Sequence, residues 1–436
     1  MEKINKIIIK DGLVIDPKNG IETVKDIYID KQTIFAVQDP SQPLEDFNAE
    51  QIIDASEQIV CPGLVDLRNR LGNPTYEQQG KQKGTIASET YAAVSGGITS
   101  LCCPPDTNPV IDSTALVKQI EMTALQDGFC HVYPMAAMTK GLLGQELSEM
   151  ETLMQAGCVG VSNAMQPISN TLVMRRVMEY AASHEISVFI HPQDYWLSLN
   201  GCAHEGQVSA RLGLTGIPES AETIALLRDI ELVKLTGVKA HFCQISTARG
   251  VEIIRQAKNL GLDISCDVTA HHLFLTEMDI GYFNSNCHVL PPLRTQRDQD
   301  ALRAGLMDKT IDAIVSDHQP HNADAKLAPF AETEPGVSSV ETFLALVLKL
   351  TEQTTISLPQ VIAKISLEPA TILGLDTGTI ESGAIADICI FDPKKIWQVD
   401  HQKFYSQGKN TPFHGWELQG KVVKTLVAGK IVFEQN

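Results

Sequence analysis

The chain has 436 residues, 43% of them hydrophobic, enough for one large core and a second, smaller unit. Its 53 acidic against 35 basic residues give a formal charge of −18 with no Lys/Arg-rich run, which argues against a nucleic-acid backbone or an anionic membrane as partner. No apolar stretch approaches the roughly 20 residues of a membrane span.

In chain order, Met1 to Lys10 is broken by charges and lacks the apolar core and cleavage site of a secretory signal, so a cytoplasmic protein is expected. Short strands follow at Lys6 to Lys10, Leu13 to Asp16, Asp26 to Ile29 and Thr33 to Val37, with Asp16-Pro17-Lys18-Asn19-Gly20 as a turn cluster. The C-terminus has the same texture: Ala386 to Pro393 reads as a strand ended by a turn, and Lys421 to Phe433 as two strands around Ala428-Gly429-Lys430. Two strand-rich ends flanking a long middle predict that residues 1–58 and 373–436 meet in one small β domain, a β-sandwich, around a middle domain of residues 59–372.

In that middle, short apolar runs alternate with amphipathic helices. Eight candidate strands are Gly63–Leu67, Ile98–Cys102, Cys130–Pro134, Cys158–Val161, Ser187–His191, Val238–Cys243, Asp263–Val268 and Asp312–Ser316. Leu172 to Ala182 and Ala221 to Leu235 carry the 3.6-residue period, and Ser246-Thr247-Ala248-Arg249-Gly250 before Val251-Glu252-Ile253-Ile254 supplies cap-type residues for another helix. Eight β-α units predict an α/β fold of the TIM-type (β/α)8 barrel class, with functional residues at the C-terminal strand ends. The main alternative, a doubly wound sheet in its dinucleotide-binding form, lacks its G-x-G-x-x-G fingerprint after the first strand. Ten cysteines without a C-x-x-C pair suggest buried free thiols in a reducing compartment.

The first barrel strand ends in Asp66-Leu67-Arg68-Asn69-Arg70. Residues i and i+2 of a strand share a face, so Arg68 and Arg70 aim two fixed cations at one point. A guanidinium keeps its proton and has no lone pair for a metal. Such buried cations need partners, and Asp317 and Asp194 are the candidate acids. His271 and His272, and likewise His204 and His241, read more readily as structural histidines than as ligands.

Several segments resemble, nearly end to end, the dihydroorotase family of the cyclic amidohydrolases. They include Pro62-Gly63-Leu64-Val65-Asp66, Ser95-Gly96-Gly97-Ile98-Thr99, Asp106-Thr107-Asn108-Pro109-Val110, Gly206 to Gly213, Val268-Thr269-Ala270-His271-His272-Leu273, Pro291-Pro292-Leu293-Arg294, Ser316-Asp317-His318-Gln319-Pro320-His321 and Asn410-Thr411-Pro412-Phe413. The resemblance implies a zinc site, and most of its positions are changed here. Arg68 and Arg70 stand at the His-x-His positions, Asn163 where a bridging carboxylate would follow strand four, and Gln244 at the strand-six histidine; His191 and Asp317 are retained. On the substrate side, Gly72 replaces an arginine, Asp106 an asparagine and Leu290 an asparagine, while His321 is kept.

Two retained ligands fall short of the roughly three that a catalytic zinc takes, so no bound metal is expected, and with it no water activated for ring hydrolysis. Asp317 and His321 are then vestiges of catalysis. The chain resembles the noncatalytic dihydroorotase-like subunits that some bacteria assemble with the aspartate carbamoyltransferase catalytic chain, in a mixed oligomer that is a dodecamer in that group. The resemblance therefore implies a pseudoenzyme serving pyrimidine biosynthesis as a structural subunit. Two further readings stay open: an active zinc-dependent dihydroorotase with a remodelled site, and a sensor in which Arg68 and Arg70 bind an anion.

Overall fold

A computed structural model describes residues 6–72 and 84–435. The first five residues of the opening segment lie outside the described residues, so the reading of Met1 to Lys10 as no signal peptide rests there on sequence alone.

The small β domain contains β1 (Lys6–Asp16), β2 (Ile21–Asp30), β3 (Thr33–Gln38), β4 (Gln51–Asp54) and β5 (Ile59–Pro62). The two strands expected between Lys6 and Asp16 are one, bent where the register against β2 shifts between Ile9 and Gly12 and Asp11 takes a φ of 58°. A bulge of this kind lets an apolar strand turn without ending its ladder.

The barrel strands follow. They are β6 (Leu64–Asp66), β7 (Ile98–Cys103), β8 (His131–Pro134) with its continuation β9 (Ala136–Ala137), β10 (Val161–Ser162) and β11 (Val188–Ile190). After an accessory parallel pair, β12 (Ala203–His204) and β13 (Gly216–Ile217), come β14 (Ala240–Phe242), β15 (Ile264–Thr269) and β16 (Ala313–Val315). All neighbouring barrel strands pair in parallel. The ring closes through a parallel bridge between Asn69 and His318, in which Arg70 N donates to His318 O at 3.0 Å. Each of the eight expected strands is present in part. The fourth is displaced toward its C-terminus, because Cys158 N still bonds back to Leu153 O at the end of the preceding helix.

Helices fill the intervals. Thr171–Ser183 is capped by the Asn170 side chain, Glu219–Thr236 ends on Gly237 at φ 69°, and Ala248–Asn259 starts with the Thr247 hydroxyl accepting from Gly250 N. These are the capping residues that the orphan amides and carbonyls of helix ends require.

The chain then returns to the small domain as β17 (Ile388–Gln398), β18 (Glu417–Val427) and β19 (Lys430–Glu434). β5 is hydrogen-bonded to β1 on one side and to β17 on the other, so strands from both termini form one continuous ladder. Its two wings share a core of Ile7, Ile9, Ile27, Ile29, Ile388, Ile390 and Leu426. The sandwich expected from the sequence is thus closed along one side by β5. No helix among the described residues is long and apolar enough to cross a membrane. All ten cysteines are free and buried.

Candidate functional site

Arg68 and Arg70 leave the end of β6 and are both buried, at 4% and 5% exposure. Their shared aim, expected from strand parity, is realised on Asp317, which stands just past β16 with φ 47°. Arg68 Nε lies 3.1 Å from Asp317 Oδ1 and Arg70 Nη1 lies 3.5 Å from the same oxygen. The Arg68 contact is an ion pair by distance but lies off the hydrogen-bond direction, and Arg68 Nη2 meets no hydrogen-bond partner among the described residues. Gln319 Nε2 donates to both Asp317 oxygens at 3.2 Å.

Arg70 has a second and closer acid. Its Nε and Nη2 donate to Asp106 Oδ2 at 3.1 and 2.7 Å. The sequence reading gave Asp106 only as a changed substrate-side position, and Asp194 a role as ion-pair partner. Instead, Asp194 caps the short helix Tyr195–Ser198, accepting from Leu197 N at 3.0 Å. A carboxylate committed to an N-cap is already held by a helix end.

Two guanidiniums and two carboxylates therefore balance at the barrel mouth. The acids respond differently. Burial pushes the Asp317 carboxyl up, against the pull of Arg68 and Arg70. At Asp106 burial also pushes up, but the charges of Arg70 and Arg68 prevail and hold it below the usual range. The difference follows their neighbours: Arg70 donates two hydrogen bonds to Asp106, whereas the negative charge of Asp267 adds to the rise at Asp317.

His191 is pushed down to about 3, first by burial and then by the Arg68 charge, so its imidazole is neutral at pH 7. Its Nε2 faces Gln193 Oε1 at 2.9 Å, where it must donate, which leaves Nδ1 as the bare nitrogen, without a hydrogen-bond partner among the described residues. The Gln244 amide sits beside it at φ 58°, with neither amide atom in hydrogen-bond geometry.

The other singled-out residues do not join this cluster. Asn163 is fully engaged: Oδ1 accepts from Thr139 Oγ1 at 2.8 Å, and Nδ2 donates to Leu142 O and Gln166 O. Leu290 is half-buried and offers only an apolar side chain. His321 is held by Pro335 O at 2.9 Å through Nε2 and by Asn410 Oδ1 through its backbone N–H. His272 bonds Thr269 Oγ1 and Pro292 O, His204 accepts from Arg294 Nη1, and neither nitrogen of buried His271 has a hydrogen-bond partner among the described residues.

Gly72 has φ 78°, and a Cβ there would overlap the carbonyl oxygen of Gly84. Only glycine suits both the backbone and the space. Gly72→Arg, which restores the arginine implied by the resemblance, is expected to destabilise the fold by about 1–3 kcal/mol. The check is a lower unfolding midpoint in urea with no gain in carboxylate binding.

A zinc ion fits this mouth poorly. Among the described residues, the atoms free to approach a metal from the family positions are His191 Nδ1 and the oxygens of Asp317, and two guanidiniums already crowd the latter. A second group, His241, Cys243 and Asp267, lies in the barrel interior with ligand atoms within 4.8 Å of one another. It is internally saturated: His241 bonds Ser265 Oγ and Asp267 Oδ2 at 2.8 Å each, while Asp267 Oδ1 accepts from Gln244 N at 2.7 Å.

One buried network escaped the sequence reading. Glu89, fully buried in the helix Ile86–Ser95, accepts from Ser406 Oγ at 2.6 Å, Gln407 N at 3.1 Å and His318 Nε2 at 2.9 Å. His318 Nδ1 accepts from Ser339 N at 3.1 Å, so Nε2 carries the proton toward Glu89. A lone acid in the apolar run Ile86 to Val94 was the available signal.

The amidohydrolase family pattern matches residues 59–432. A dihydroorotase-like protein of Pseudomonas putida is 44% identical over 425 residues, 98% of each chain. Another dihydroorotase-like protein, from Pseudomonas aeruginosa, is 42% identical over 98% of this chain and 99% of its own. A dihydroorotase of Citrifermentans bemidjiense is 41% identical with the same coverage. Among solved structures, the L-hydantoinase (dihydropyrimidinase) of Arthrobacter aurescens superimposes with a TM-score of 0.86 at 23% identity, over 100% of this chain and 97% of that one, a likeness of fold.

Proposed function

The chain belongs to the amidohydrolase family, with full-length relatives among the dihydroorotases and dihydroorotase-like proteins, and from this we propose that it is a noncatalytic dihydroorotase-like subunit of pyrimidine biosynthesis. The observation that carries the reading is the Arg68–Asp317–Arg70–Asp106 cluster, which puts fixed cations where a hydrolase would hold its metal. Without a metal, nothing at the mouth brings a water's pKa from about 15.7 toward 7, and the Asp317 carboxylate as a base, with no polarised carbonyl beside it, supplies only a small part of the rate. The frame that remains can fold, pack and present surfaces. Its partner in this reading is the aspartate carbamoyltransferase catalytic chain, in a cytoplasmic hetero-oligomer, on the strength of the sequence resemblance.

The test is to express the chain with and without that catalytic chain, then measure dihydroorotate turnover, carbamoyltransferase activity and the mass of the complex. The expected result is a mixed complex, a carbamoyltransferase that assembles or works poorly alone, and no dihydroorotate turnover by the isolated chain. Full turnover by the isolated chain would falsify the proposal. A second reading, an active zinc-dependent dihydroorotase with a remodelled site, draws on the retained His191 and Asp317 and on relatives named dihydroorotase. It requires turnover that depends on zinc and is lost in His191→Ala.

A further inference from the structure

Far along the chain from the barrel-mouth residues, the segment between β17 and β18 leaves and re-enters the small domain through a narrow neck. Val399 N donates to Trp416 O and Gly415 N to Val399 O, both at 2.8 Å, so the two limbs stay paired at the neck. Just inside it, one limb carries Asp400 and His401 and the other carries His414. The two imidazole rings meet edge-on with centroids 4.3 Å apart, and ligand atoms of all three side chains lie within 4.8 Å of one another.

We propose that Asp400, His401 and His414 form a binding site for a late first-row divalent cation of the zinc class, which fastens the neck of this loop. Two imidazoles and one carboxylate are a donor set for zinc, cobalt or nickel, whereas calcium and magnesium favour all-oxygen sites. The remaining coordination position is left for water. Small side-chain rotations bring donors at this spacing to metal-bond length, because His401 and Asp400 are only half-buried and His414 is exposed.

The neighbours leave room for this. Lys403 Nζ is 3.9 Å from Asp400 Oδ2, but the lysine side chain is 84% exposed and free to swing away. Gln402 Nε2 lies 2.7 Å from His401 Nε2; turning over this exposed amide presents Oε1 instead, so that Nε2–H donates to it and Nδ1 becomes the bare nitrogen for a metal. Asp400 and His414 also line a cavity of about 680 Å³ with Glu341, Trp397 and Lys421, a route by which a hydrated ion can arrive.

The loop beyond the neck gives such a clip its consequence. Ser406 and Gln407 bond Glu89 of the barrel. Asn410 Nδ2 donates to Gln319 O and Gly336 O, and its Oδ1 accepts from His321 N. A cation holding both limbs shortens the free loop and so favours its docked form against the barrel strand end that carries Asp317 and His321.

The test uses the full-length, tag-free, metal-stripped protein titrated calorimetrically with zinc and separately with cobalt. One equivalent is expected to bind, with at least about tenfold weaker binding in His401→Ala and in His414→Ala and unchanged binding in His191→Ala. Bound zinc is expected to raise Tm by about 3 °C or more in the wild type and not in His401→Ala/His414→Ala. Circular dichroism confirms that these surface variants fold. No binding of either metal, binding that survives the double substitution, or binding lost only in His191→Ala each overturns the site. This result is separate from the proposed function, because dihydroorotate turnover reads the barrel mouth and not the neck. Zinc content in the catalytic test is therefore best measured in the His401→Ala/His414→Ala background.

Discussion

Replacing Asp317 with alanine is expected to cost the fold about 3–5 kcal/mol, because it strips a buried anion from two buried guanidiniums at once. Arg68 loses the carboxylate 3.1 Å from its Nε, and its Nη2 already has no hydrogen-bond partner among the described residues. Arg70 keeps Asp106 at 2.7 Å, so the larger share of the loss falls on Arg68. The effect is read as a lower urea midpoint at unchanged slope. Adding Arg68→Met to Asp317→Ala removes the stranded cation while filling its volume, and is expected to recover most of the loss. A double-mutant cycle across the pair then gives a coupling of about 2 kcal/mol or more. An Asp317→Ala variant as stable as the wild type would show that the aspartate is not holding the arginines. The experiment also bears on function, since an acid kept as a metal ligand would be missed mainly in turnover.

Acid is expected to unfold the protein between about pH 6 and 5, before most carboxylates titrate. Five imidazoles are buried in neutral form. Burial, helped by nearby Arg68, pushes His191 down to about 3; burial with Arg294 or Lys326 nearby pushes His204 and His288 down to about 4. His272 is likewise at about 4, mainly through burial, and burial together with its neighbour His272 takes His271 well below the usual value. All five folded values lie below the unfolded value of about 6.5.

The sign follows directly. The unfolded chain binds protons that the native chain refuses, so this stability is present above about pH 6.5 and is lost as pH falls toward the folded values. At pH 5.5 a histidine held at about 3 or 4 costs roughly 1.4 kcal/mol, so several together remove a large part of the stability of a typical domain. Burial raises the carboxyls of Asp66, Glu222 and Asp317 and takes Glu341 to about 7, which works in the opposite sense; the Glu341 part falls in the same pH window and offsets roughly one histidine. Far-UV circular dichroism against pH reads the midpoint. His271→Leu, which removes an imidazole whose two nitrogens have no partner, is expected to move that midpoint downward. A protein that stays native at pH 4.5 would contradict the account.

Much of the architecture was legible in the sequence because barrel strands and helices differ in period, and the eight apolar runs fell at that alternation. The small domain was legible from its turns, including Ala428-Gly429-Lys430 between β18 and β19. The bent β1 was not, since a bulge keeps hydrogen bonding across what reads as a break. At the mouth, the inward aim of Arg68 and Arg70 followed from strand parity. Their partners did not. Asp106 lies 36 residues from Arg70 and its role depends on a distance that no local pattern encodes. Asp194 was an equally plausible acid by sequence and is spent on a helix cap. The need for glycine at position 72 is likewise set by Gly84 pressing against it and by a φ of 78°.

The sequence alone determined which chemistry residues 68, 70, 163 and 244 can offer, because a guanidinium has no lone pair for a metal and an asparagine or glutamine amide offers only a neutral oxygen. It also set the fold class, through periodicities that local sterics enforce. Only the tertiary structure decided how those fixed charges are balanced. Barrel closure brings Asp317 to Arg70 across 247 residues, and burial strengthens that attraction while making any unpaired charge costly.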